Sequence, residues 1–89
     1  MTLEIPADIA AAVALYTSAY QRLPADLMMV RAGVLCIRNG IGMNDDLVNG
    51  LLGCVEAGMP EAVGALIALR APETKIAAAI EIGTKKAKQ

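Results

Sequence analysis

Asn39-Gly40-Ile41-Gly42-Met43-Asn44-Asp45-Asp46-Leu47 reads as the end of one helix and the start of the next. Gly40 suits the left-handed position just past a helix end, where a side chain would be strained. Asn44 is placed to cap the helix that follows. Asp45 and Asp46 fall in its first turn, where the helix dipole favours negative charge. Apolar residues recur with helical spacing on both sides of this junction, so it joins two helices and no strand.

The same punctuation recurs outward along the chain. Pro6, Pro24, Pro60 and Pro72 each open an apolar-periodic segment, as proline does in a first helical turn. Acids follow closely at Asp8, Asp26, Glu61 and Glu73. The first helix is expected from about Pro6 to Arg22, with Ile9, Val13, Tyr16, Tyr20 and Leu23 forming one stripe. The second, from about Pro24 to Arg38, is apolar nearly all round. Leu27, Val30, Val34 and Ile37 make one face, and Met28, Ala32, Leu35 and Cys36 another; only Asp26, Arg31 and Arg38 interrupt it. Such a helix is expected at the centre of its domain, or sandwiched between the domain and a partner.

The third helix runs from the Asn44 cap to about Ala57 and is expected to bury Leu47, Leu51 and Val55, with Val48 and Leu52 alongside. Gly58 stops it. The fourth, Pro60 to Arg70, uses Val63, Leu66 and Ile67; the fifth, Pro72 to Lys86, uses Ile76, Ala79, Ile80 and Gly83, with Ile82 on a different side. Short connections favour antiparallel hairpins between neighbours. The expected fold is therefore one all-α domain over residues 1–89, with about five short antiparallel helices in a helical-hairpin array or a small bundle. Gly33, Gly50, Gly53 and Gly64 lie inside these helices, each costing about 1 kcal/mol relative to alanine. They are expected to mark places where helices approach closely.

Composition bounds what such a body does. Of the 89 residues, 56% are apolar, and the eight glycines raise that share to about 65%, above the roughly 45–50% usual for globular domains. The excess points to apolar surface covered by another chain, either a helical partner or a second copy. Net charge is −1, and the third helix carries Asp45, Asp46 and Glu56 without Lys or Arg, which argues against nucleic acid. Lys85, Lys86 and Lys88 fall in a last helical turn, where they offset the dipole.

Nothing points to catalysis. Histidine is absent, and with it the commonest general base and metal ligand. No calcium loop, phosphate loop or nucleophile motif is present, so no enzyme, metal or cofactor is expected. Cys36 and Cys54 sit in apolar stretches as reduced thiols do. Residues 1–6 lack a basic region leading into an apolar core, and no apolar stretch is long enough to span a bilayer. A cytoplasmic protein is expected. The methionines around the second helix suggest a groove for an amphipathic helix. Leu27, Met28, Val34 and Leu35 would line the contact, with Leu51 and Val55.

The stretch Ala57-Gly58-Met59-Pro60-Glu61-Ala62-Val63 resembles the turn and second helix of a tetratricopeptide repeat, one residue short of the usual spacing and with Cys54 and Pro60 near the large aromatic positions. Leu51-Leu52-Gly53-Cys54-Val55-Glu56, the hairpin after it, and a terminal helix ending in Gly83 and lysines look like the needle-subunit chaperones of bacterial type III secretion. A looser echo runs from Val30-Arg31 to Gly40. The resemblance implies a small cytosolic tetratricopeptide-like chaperone that keeps a polymerising helical subunit from assembling.

Overall fold

In the computed structural model, residues 3–21 and 25–89 are described. Five helices occupy them: α1 (Ala7–Ala19), α2 (Ala25–Arg38), α3 (Asp45–Glu56), α4 (Glu61–Ala68) and α5 (Glu73–Ala87). No strand occurs among the described residues. Arg22, Leu23 and Pro24, assigned above to a helix end, a core stripe and a helix start, lie outside the described residues, as does the side chain of Asp26.

The helix ends follow the residues that were expected to make them. The Asn44 side chain accepts a hydrogen bond from the Leu47 amide at 3.0 Å, and Asp45 and Asp46 occupy the first turn. Pro6, Pro60 and Pro72 stand one residue ahead of their helices. Helices α2, α3 and α4 close with one motif, in which an amide reaches back five residues past a left-handed position. Ile41 donates to the Cys36 carbonyl beyond Gly40 (φ 62°), and Met59 to the Cys54 carbonyl beyond Gly58 (φ 96°). Ala71 donates to the Leu66 carbonyl in the same way, but there the left-handed residue is Arg70 (φ 60°).

The helices pair mostly out of chain order. Helix α2 packs chiefly on α4, and α1 on α5; α3 lies against both α4 and α5. The result is a small bundle of 37 × 25 × 18 Å. Among consecutive helices, only α3 with α4 and, lightly, α4 with α5 pack as neighbours in a hairpin would. The helix buried on all sides is α4, where Ala62, Val63, Gly64, Ala65 and Leu66 are all enclosed. Helix α2 is not central. Among its described side chains it buries only Met29 and Gly33 and leaves the others half or fully exposed. Of the two places its long apolar sequence allows, the centre and a position between the domain and a partner, the first belongs to α4, which contacts α2, α3 and α5.

Most of the core matches the expected stripes: Ile9, Val13 and Tyr16 from α1, Val63 and Leu66 from α4, and Ile76, Ala79 and Ile80 from α5. In α3 Val55 is buried as expected, but near the start of the helix Val48 replaces Leu47. Val48 and Val55 are enclosed, Leu51 and Leu52 are half-buried, and Leu47 is exposed. The only aromatic residues in the chain, Tyr16 and Tyr20, tie the bundle together. Tyr16 donates to the Val55 carbonyl at 2.5 Å, and Tyr20 to the Gly83 carbonyl at 2.8 Å. Their rings meet edge-on with centroids 5.2 Å apart. Each ring rests on a glycine: a Cβ at Gly83 would stand 2.7 Å from Tyr16, and one at Gly58 2.7 Å from Tyr20.

Candidate partner-binding face

Helix α2 becomes an edge helix through the way it meets α4. A Cβ at Gly64 would overlap the Met29 carbonyl oxygen, and one at Gly33 would collide with Leu3 and stand 2.9 Å from the Gly64 carbonyl. Two glycines thus let the two backbones touch. Gly33 and Gly64 behave as their sequence positions suggest. Gly50 and Gly53 do not, because nothing in the chain comes within 4 Å of a Cβ at either.

With Met29 and Gly33 turned inward, helical spacing fixes what faces out. Leu27, Arg31, Leu35 and Arg38, at steps of four, four and three, are all exposed, with Leu27 at 53% and Leu35 at 57%. Val30 and Val34 are half-buried beside them. Val30, Arg31, Val34, Leu35 and Arg38 line a shallow hollow of about 310 Å³. The outer surface of α2 is therefore apolar and cationic by turns, with Arg31 at its centre.

Of the residues proposed from sequence to meet a partner, Leu27, Val34 and Leu35 share this face. Met28 is half-buried at its margin. Leu51 is half-buried on α3 and packs against the core, away from the α2 surface. Val55 is not a surface residue of the protomer. Its side chain is fully enclosed, and its carbonyl receives the Tyr16 hydroxyl. The two arginines were read only as interruptions of an apolar helix, although their spacing of seven from each other, and of four and three from the flanking leucines, was visible in the sequence.

Apolar side chains are also exposed elsewhere, at Ile41 and Met43 in the α2–α3 connection, at Leu47, and at Met59. Cys36 and Cys54 are free and half-buried. Among the described residues no three His, Cys, Asp or Glu side chains are grouped as they would be to hold a metal ion, and no helix is long and apolar enough to cross a membrane. No family model, no curated protein and no solved structure matches the chain.

Proposed function

We propose that this protein is a non-catalytic adaptor or export chaperone that takes an amphipathic helix of another protein against the outer face of α2. The observation that carries the reading is that, among its described residues, α2 buries only Met29 and Gly33 and leaves Leu27 and Leu35 exposed and Val34 half-exposed, next to Arg31 and Arg38. A partner helix with leucine-sized residues in one stripe would cover these side chains, each worth about 1.5–3 kcal/mol when fully buried. Acidic residues flanking that stripe would meet the two arginines, in the bidentate geometry guanidinium groups favour.

The placement of Arg31 argues for a different chain on this face rather than a copy of the same one. A two-fold axis that set Leu27 against the Leu35 of a copy would bring Arg31 against its own duplicate, and like charges placed so oppose association. A needle subunit of a type III secretion system, a polymerising helical protein, is the partner class the sequence resemblance implies. In that role the protein would act in the cytoplasm, holding the subunit apart from its own kind before export.

Co-expression tests the reading. With a needle subunit from the same cell, a soluble heteromeric complex is expected to persist through gel filtration. Leu35→Asp or Arg31→Glu is expected to abolish it without changing the helical circular dichroism of the isolated protein. A folded wild-type protein that never elutes with the subunit would overturn the proposal.

A further inference from the structure

The outward surface of α1 has a different character from that of α2. Ala7, Ala10, Ala11, Ala14, Leu15 and Ser18 are all exposed, and no charged residue occurs from Ile9 through Gln21. A helix face turned to water normally carries charges. Past Asp8 in its first turn this one carries alanines, Ser18 and Leu15, which at 68% is the most exposed large apolar side chain described. Beside Leu15, between α1 and α5, lies an apolar hollow of about 300 Å³ lined by Ala12, Leu15, Ala77, Ile80, Glu81 and Thr84. Small residues keep it open: Ala12 and Ala77 leave room above Ile80, and Thr84 turns its hydroxyl back to the Ile80 carbonyl at 2.8 Å.

We propose that this α1–α5 face binds a second copy of the chain through a two-fold contact, the Leu15 of each copy filling the other's hollow. A projecting side chain and an apolar recess lie next to each other on one surface. A two-fold contact needs that arrangement, since a residue that enters the partner's recess must have the partner's equivalent entering its own. Charge selects the same occupant. From Ile9 onward α1 presents no charge to repel its copy, and Asp8, seven residues before Leu15, stands at the end of the face rather than at its centre. The one acid at the rim, Glu81, is balanced within its own helix by Lys85 at 3.1 Å. The inference does not rest on the α2 reading, because α1 packs on α5 and α2 on α4, so the two outer faces belong to different helix pairs.

Sedimentation velocity over a concentration series tests it on the full chain. The wild-type protein is expected to be a dimer. Leu15→Glu and Ala11→Glu, both at exposed positions, are expected to keep the helical spectrum and to raise the dimer dissociation constant by at least about 100-fold, as loss of a central anchor does. Leu35→Glu on α2 is expected to leave the dimer intact. A wild-type monomer at the highest concentration reached would overturn the proposal. So would a Leu15→Glu protein that stays dimeric, or a dimer dissolved by Leu35→Glu while both α1 variants keep it.

Discussion

Gly64 of α4 and Met29 of α2 touch through their backbones: a Cβ at Gly64 would lie 2.5 Å from the Met29 carbonyl carbon. No rotamer change relieves an overlap with main chain. Gly64→Ala must therefore push α2 off its one substantial neighbour, and we expect a loss of about 3 kcal/mol. In a domain of this size that corresponds to a fall in melting temperature of roughly 12–24 °C. Urea denaturation of the variant checks it. A loss below about 1 kcal/mol would mean that α2 is not seated where Gly64 places it.

Gly50 and Gly53 give the opposite expectation. Both lie within α3, and a Cβ at either meets nothing within 4 Å. Gly50→Ala and Gly53→Ala should each raise stability by about 1 kcal/mol, through helix propensity and a less flexible unfolded chain. A rise in the urea midpoint at constant slope is the signature.

Tyr16→Phe removes the hydroxyl that α1 donates to the Val55 carbonyl but leaves the ring on Gly83. The Gly58 amide still donates to that carbonyl, so the acceptor is not orphaned. The expected cost is about 1 kcal/mol. Tyr16→Ala should cost about 3–5 kcal/mol, because it also empties the core between α1, α3 and α5. Equilibrium unfolding of the two variants side by side separates the hydrogen bond from the ring.

Arg70 ends α4 with φ 60°, a conformation that costs an ordinary side chain about 1 kcal/mol or more. Arg70→Gly should therefore stabilise the protein by about 1 kcal/mol, although a helix interior would lose about as much from the same exchange. At the other kind of helix end, Asn44→Ala removes the acceptor of the Leu47 amide and should cost about 1 kcal/mol. Thermal melts followed by circular dichroism would resolve both.

Much of the fold was legible because its signals are local. Asn44 caps α3, Gly40 and Gly58 take left-handed φ values, and the stripes of α1, α4 and α5 are the ones buried. Pairing between helices is not a local property, and there the sequence misled. Helix α2 is apolar on several sides, which reads as central, yet only contacts made by distant residues decide that α4 fills the middle. In α3 two apolar stripes run side by side, one through Leu47 and Leu51 and the other through Val48 and Val55. Periodicity cannot choose between faces separated by one residue: it puts Leu47 inside with Val55 and Leu51, whereas Val48 takes that place, and Val55, fully buried as its spacing predicts, is closed to a partner. Leu15 belongs to no stripe, so periodicity gives it no role. The readable signal was the run from Ile9 to Gln21, which holds no charge for the solvent side of α1.

The contact between α1 and α5 has a consequence for how the protein comes into being. Helix α1 finds its main neighbour only after α5 has been synthesised. Until then α1 lacks its main packing surface, and only the Val55 carbonyl of α3 and Gly58 stand ready for Tyr16 and Tyr20. Docking of α1 is thus deferred until α5 has emerged, and closing so long a loop is slow compared with zipping neighbouring hairpins in sequence. A nascent chain stalled before α5 should remain open to protease along α1, and one extended past Lys88 on a tether should resist it.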